Sequence, residues 1–239
     1  MANVAVIFAG GTGQRMNSKT KPKQFLELHG KPILVYTIEH FQRHREIDGI
    51  VLVILESWID YTKELVDRFR LSKVKAVIPG GETGQGSIYN GLSKAAELFG
   101  EDSTVLIHDG VRPLIDESTI TNVLECVRTH GNAITVTPAI ETVSMRSEDG
   151  MITDVFDRSK CCMARAPQAF LLGEILAAHH QAQRENNLQF IDSASMMRHY
   201  GHKLYIVEGA VENIKITTPS DFYIFRAITD ARENSQIFG

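Results

Sequence analysis

Four groups of residues have types and spacing that could do polar chemistry. The first, Ala9-Gly10-Gly11-Thr12-Gly13-Gln14-Arg15-Met16, follows directly on the apolar run Val4 to Phe8, and cations continue after it at Lys19, Lys21 and Lys23. Glycines let backbone N–H groups curl into a concave nest that approaches phosphate oxygens closely. The cations suit a triphosphate, whose oxygens gather charge as pyrophosphate leaves. Two commoner loops do not match. A Walker A loop needs Lys and then Ser or Thr after its last glycine, whereas Gln14-Arg15 follows Gly13; a dinucleotide fingerprint needs a third glycine where Met16 stands. A basic loop that only faces solvent is the other reading of this run.

The second segment is Gly80-Gly81-Glu82-Thr83-Gly84-Gln85-Gly86-Ser87. It falls between an expected strand ending near Ile78 and an expected helix beginning near Ser87. Ser87 is a candidate helix cap, and the helix N-terminus favours an anionic or hydrogen-bonding group; equally, the glycines build an irregular turn. The third, Val105 to Pro113, puts Asp109 at the end of a core strand. A carboxylate there suits Mg²⁺, which takes one or two protein oxygens and fills its shell with phosphates and waters. Alternatively, Asp109 pairs with Arg112 to fix a turn. The fourth group is Arg158 and Lys160 after Asp157, with Lys215 in Asn213-Ile214-Lys215-Ile216-Thr217. Each cation suits a phosphate monoester, or is ordinary surface charge. The nine histidines show no HExxH or similar spacing and point to packing or surface roles. His108 adjoins Asp109, but neighbours on a strand face opposite sides, which argues against a proton relay.

Positioning these groups requires strands and helices in alternation. Short β-branched runs at Val4 to Phe8, Ile50 to Leu55, Lys75 to Ile78, Val105 to His108, Ala133 to Pro138 and Lys203 to Val207 read as strands. Helical spacing falls between them: Leu34, Ile38 and Phe41 behind Pro32; Trp58, Tyr61, Leu65 and Phe69 behind an expected capping box at Ser57 and Asp60; Ile88, Leu92 and Phe99; Ile120, Val123 and Val127. Thr218-Pro219-Ser220-Asp221 opens a last helix with Phe222 and Phe225 inside. This is the pattern of an α/β fold, a mainly parallel twisted sheet flanked by helices. One excursion, Ile140 to Phe156, reads as a hairpin around Ser147-Glu148-Asp149-Gly150 that leaves the body of the domain.

Composition bounds the rest. The chain has 239 residues, 25 Lys plus Arg against 29 Asp plus Glu, and a net charge of −4. One domain spanning 1–239 is expected, with a core that needs no staples. The slight acidity argues against general nucleic-acid binding. Cys126, Cys161 and Cys162 form no CxxC pair, so neither a disulfide framework nor a zinc site is expected. No apolar run has the length of a signal core or membrane span, and a cytoplasmic protein is expected.

Taken in order, AGGTGQRM, PKQFLELHGKPIL, GG followed by SIYNGL, HDGVRPLI, PQAF and NIKITTPSD resemble the cytidylyltransferases that activate sugar-alcohol phosphates, over nearly the whole chain. The resemblance implies a Rossmann-like nucleotidyltransferase fold, CTP and a polyol phosphate as substrates, Mg²⁺, and a homodimer whose protruding β-arm, about 139–160, reaches the partner's site. It implies that Arg15 and Lys23 stabilise the CTP phosphates, that Lys215 contacts the α-phosphate region, and that Asp109 sits near the metal and, with Arg112, the acceptor. Thr142 and Arg158 approach the acceptor phosphate from the partner subunit. The loop Phe8-Ala9-Gly10-Gly11, with Gly13, and the loop at Gly81, Glu82 and Ser87 hold the nucleotide.

Three positions depart from the family pattern. Gly84 stands where an arginine is common, Ala166 where Thr precedes Pro-Gln, and Ile191 where Thr precedes Asp. Ala9-Gly10-Gly11 and Val111-Arg112 are closer to the ribitol-phosphate branch than to the methylerythritol-phosphate branch of isoprenoid biosynthesis. The expected reaction is attack by an acceptor phosphate oxygen on the α-phosphorus of CTP, giving a CDP-alditol and pyrophosphate. A methylerythritol- or mannitol-phosphate acceptor is the enzymatic alternative. A nucleotide-binding regulator without turnover is the non-enzymatic one, motivated by Gly84 and Ala166.

Overall fold

The computed structural model describes residues 1–11 and 21–238; Gly13, Arg15 and Lys19 lie outside the described residues. Strand β1 (Asn3–Ala9) is buried on both faces, as an uninterrupted apolar run demands of an inner parallel strand. It pairs in parallel with β4 (Gly49–Ile54) on one side and β6 (Thr104–Asp109) on the other. Beyond β4 lies β5 (Val74–Pro79), and beyond β6 come β10 (Cys162–Leu171), β7 (Asn132–Pro138) and β11 (Ile206–Glu208). The seven-stranded order is β11-β7-β10-β6-β1-β4-β5, and β10 alone runs against its neighbours. The chain leaves β1 for β4 and β5, then crosses to β6. This makes the carboxyl ends of β1 and β6 the switch point at which α/β sheets bind ligands.

The pleat divides the core. Ala5, Ile7, Ile50, Leu52 and Leu106 face Leu34, Ile38 and Phe41 of α1 (Ile33–Arg43), Leu65 of α2 (Ile59–Arg68), and Ile120, Val123 and Val127 of α4 (Glu117–His130). Val4, Val6, Val51, Val53 and Val105 face Ile88 and Leu92 of α3 (Gly84–Phe99), Ile175 and Leu176 of α5 (Leu172–Arg184), and Met196 of α6 (Ser193–His199). Alternate residues of one strand therefore feed two layers of helices. A third cluster seats Phe225 of α7 (Pro219–Phe238) against Ile33, Leu114 and Ile216. A short hairpin, β2 (Glu27–Leu28) with β3 (Lys31–Pro32), precedes α1. The second hairpin, β8 (Ser144–Arg146) with β9 (Ile152–Val155), turns at Ser147 to Gly150, where Gly150 takes φ +88°, and its strands are exposed on both faces.

Several sequence expectations are corrected. β10 was not legible: its run carries Arg165 and Pro167 and lacks β-branched residues, and it becomes a strand because β6 and β7 pair with it from both sides. Helices α5 and α6 were also not legible in the apolar spacing. The expected strand at 203–207 is the shorter β11. Ser57 caps no helix; it lies in a 3₁₀ turn, and α2 starts at Ile59. There Phe25 stacks on Trp58 at 4.7 Å between centroids and meets Tyr61 edge-on at 5.3 Å, and this aromatic packing fixes where α2 begins.

Helix α3 lies close on the sheet because Gly91 faces it. A Cβ there would stand 2.8 Å from Val53 Cγ2 and also run into Val6. Gly91→Ala is expected to lower unfolding stability by about 1–3 kcal/mol, read by denaturant titration. An unchanged midpoint would show that α3 can shift freely. Burial lowers the pKa of His40, His44, His108 and His179, and the two largest shifts among them set an acid sensitivity. Burial, with the like charge of Arg112 opposing partial help from Asp109, pushes His108 down to about 3. Burial and then His180 push His179 down to about 4. Each binds its proton in the unfolded chain before the folded one, so stability falls as pH drops below 6.5. Relative to the parent, His108→Leu should flatten that fall by roughly 1.4 kcal/mol per pH unit; parallel curves would contradict it.

Candidate active site

At the end of β1, just before Gly10 and Gly11, Phe8 O accepts from Gly110 N–H at 2.9 Å at the end of β6. A Cβ on Gly110 would come within 2.8 Å of Ala9 Cβ, so the two chain turns meet at a distance only glycine permits. Gln24, buried in the 3₁₀ turn Lys23–Phe25, donates from Nε2 to Ala9 O at 2.6 Å and anchors the return of the chain after the first loop. Lys23 opens that turn and is partly buried.

In the second loop the cap is Thr83, correcting the expectation for Ser87. Thr83 Oγ1 accepts from Gly86 N–H at 2.9 Å, and α3 begins at Gly84. Ser87 sits inside the first turn, where its Oγ donates to Thr83 O at 2.9 Å and accepts from Gly81 N–H at 3.0 Å. Gly81 is forced by proximity, since its Cβ would stand 2.8 Å from the Gly86 carbonyl carbon. Nothing lies within 4 Å of a Cβ on Gly84, so a side chain there would fit. Gly81 and Glu82 line a smaller hollow beside α3.

Asp109 is the electrostatic centre. Its Oδ1 accepts from Lys215 Nζ at 2.6 Å and its Oδ2 from Arg112 Nε at 2.7 Å, with the carboxylate and guanidinium both buried. Burial pushes its pKa up, but Arg112 and Lys215 outweigh that and hold it at about 2. The pairing with Arg112 expected as a structural alternative is present, and Lys215 joins it. Asn213 organises the cluster: its carbonyl accepts from Arg112 Nη1 at 2.9 Å, and its Nδ2 donates to Ala166 O at 2.7 Å. This ties the loop carrying Lys215 to β10.

Asp109, Arg112 and Lys215 open into a cavity of about 600 Å³ between β6, β10, α3 and α6, which Phe8, Gly84 and Gln85 also line. Gln168 spans its floor, donating to Asp192 Oδ2 at 2.9 Å and accepting from Ala194 N–H at 2.9 Å. Gln85 holds the wall, bonding Asn187 O at 3.1 Å and Phe190 N–H at 3.1 Å. The cavity lining does not include Lys23, Thr142 or Arg158; Arg158 bonds Ile140 O at 2.9 Å on the exposed excursion. Sequence reasoning missed Gln85, Gln168, Asn213 and Arg165. Polar residues inside otherwise apolar segments were the available signal, and only packing shows where they aim.

Asp109 is a buried anion whose two partners lose compensation together. Asp109→Asn is expected to cost about 3–5 kcal/mol of stability at pH 7, whereas Lys215→Met, removing a partly solvated partner, should cost no more than about 1 kcal/mol. Denaturant titration of both variants checks the order. Because its folded pKa lies below the ordinary 3.8, Asp109 stabilises the protein above 3.8, and that contribution disappears as pH falls from 3.8 towards 2.

The family model described as 2-C-methyl-D-erythritol 4-phosphate cytidylyltransferase (IspD) matches residues 3–231. A ribitol-5-phosphate cytidylyltransferase of Vibrio parahaemolyticus is 53% identical over 99% of this chain and all of its own. A Streptococcus agalactiae protein of the same name is 52% identical over the full length of both. A 2-C-methyl-D-erythritol 4-phosphate cytidylyltransferase of Clostridium acetobutylicum is 40% identical over 92% of this chain and 94% of its own. Among solved structures, the 4-diphosphocytidyl-2C-methyl-D-erythritol synthase of Anaerococcus prevotii superposes with a TM-score of 0.82 at 28% identity, covering 96% of each chain. With the Rossmann-like sheet, the paired glycine loops and the Asp109 cluster at the switch point, the chain belongs to the IspD cytidylyltransferase family.

Proposed function

We propose that this chain transfers CMP from CTP to a sugar-alcohol phosphate, ribitol 5-phosphate in the first instance, releasing pyrophosphate. The observation that carries the acceptor is end-to-end identity of 53% with a relative named for ribitol 5-phosphate, against 40% with one named for methylerythritol phosphate.

A phosphate monoester is already largely ionised at neutral pH, so its oxygen attacks the α-phosphorus in line without a strong base. The protein's task is to hold two anions together and to stabilise the charge that develops. In this reading the β1 and β5 loops, through Ala9, Gly10, Gly11, Gly13, Gly81, Glu82 and Ser87, hold the nucleotide. Arg15, Lys23 and Lys215 stabilise the phosphates, while Asp109 fixes Lys215 and Arg112 towards the cavity. Asp109 is ionised and lines the cavity, but Lys215 and Arg112 each hold one of its oxygens, so in this reading Mg²⁺ would share one of those oxygens, with substrate phosphates and waters completing its shell. When bound, the ion would offset charge on the triphosphate.

The homodimer belongs to the same proposal. Thr142 and Arg158 lie on the excursion, where Ile140, Met145, Met151, Ile152 and Val155 are each more than half exposed. A two-stranded hairpin with bare apolar faces needs a covering surface, and an exchanged arm from a second copy would supply one while delivering Arg158. A cytoplasmic location accords with free Cys126, Cys161 and Cys162 and with the lack of any described helix long and apolar enough to cross a membrane.

Pyrophosphate release from CTP should be strongest with ribitol 5-phosphate in a panel that includes methylerythritol 4-phosphate and mannitol phosphate, with UTP and ATP poor donors. Tight CTP binding without release across the panel would favour a regulator instead. Lys23→Ala and Lys215→Ala should each lower kcat by about 10²-fold or more. In mixed dimers, Arg158→Ala and Lys23→Ala chains should restore part of the activity, and no recovery in verified heterodimers would remove the exchanged arm.

A further inference from the structure

The pairing of β10 with β7 breaks register between Ala164 and Gln168. A break of this kind re-aims side chains, and within it Arg165, half-buried, joins the cavity lining. Arg165 Nε donates to Thr137 Oγ1 at 3.2 Å. Burial and then the like charge of Arg112 both disfavour its charged state.

The cavity's charges do not balance around it. Among the described lining residues the cations are Arg112, Arg165 and Lys215 and the carboxylates are Asp109 and Asp192. Asp109 is taken by Arg112 and Lys215. Asp192 caps α6, its Oδ1 accepting from Ser195 N–H at 2.8 Å, and its Oδ2 accepts from Gln168. No described carboxylate pairs with Arg165, whose only hydrogen-bond partner among the described residues is a neutral hydroxyl. A half-buried guanidinium beside a like charge and without a paired carboxylate is placed to meet an anion, and its Nη groups form a fork suited to two oxygens of one phosphate.

Position selects which phosphate. In the sheet order β10-β6-β1-β4-β5, the glycine loops stand at the ends of β1 and β5, and Arg165 lies on the opposite side of Asp109, on β10. We propose that Arg165 is an anion-binding residue of the acceptor half of the site, taking the phosphate monoester of the alditol phosphate in a forked contact from within the same chain. The identity of the acceptor rests on the reading given above; the existence of the anion subsite does not.

The test is steady-state kinetics with CTP and ribitol 5-phosphate on the wild-type dimer, Arg165→Gln and Arg165→Lys, with calorimetric titration of ribitol 5-phosphate into each. For Arg165→Gln the acceptor KM and Kd should rise about 10- to 100-fold, the scale of one charge-assisted contact, with the CTP KM within about twofold. Arg165→Lys should recover part of the loss, which a merely structural role would not predict. Acceptor constants within twofold of wild type in Arg165→Gln, or an equal rise for CTP, would overturn the proposal. Wild type that binds ribitol 5-phosphate through Arg165 yet turns over no alditol phosphate would overturn the functional reading and leave the subsite standing.

Discussion

The structure depends on one buried carboxylate held between two cations. Asp109 ends the central strand β6 with Lys215 on one oxygen and Arg112 on the other. Removed from water, an anion is tolerable only with such compensation, and once compensated it fixes both cations in a way a solvated pair does not. Arg112 is held further by the Asn213 carbonyl, and Asn213 by Ala166 on β10. A continuous polar chain thus runs from the antiparallel strand through the last loop before α7 to the switch point.

Around that centre the two sides of the sheet are built differently. Backbone dominates at the β1 and β5 ends, where glycines let chain turns approach each other and α3 start at Gly84. Side chains dominate on the β10 side, where Arg165, Gln168 and Asp192 line the cavity. Backbone N–H groups at a helix start suit anionic groups, whereas the β10 side offers amide, guanidinium and carboxylate side chains. Ala166 and Ile191 also lie on that side of the cavity.

Much of this was legible along the chain. Uninterrupted apolar runs gave β1, β4 and β6, because strands covered on both faces need no alternation. Helical spacing gave the inward faces of α1, α3 and α4, and Ser147 to Gly150 gave the exposed hairpin's turn. The chemistry-bearing segments and their family order were legible for the same local reason: a glycine next to a cation, or an acid at a strand end, is visible within ten residues. The errors were also local. Ser57 and Ser87 look like caps, but aromatic stacking on Trp58 moves one helix start and Thr83 takes the other cap.

The sequence by itself determined the alternation of elements, the two glycine-rich segments and the family. Only the tertiary structure decided that Lys215 meets Asp109, that 162–171 becomes a strand, and that Arg165 lines a cavity with no paired carboxylate among the described residues. The reason is physical. Periodicity and turn chemistry act between near neighbours, whereas charge compensation and strand pairing in a sheet's interior are settled by segments distant along the chain, and no local pattern encodes which of them will meet.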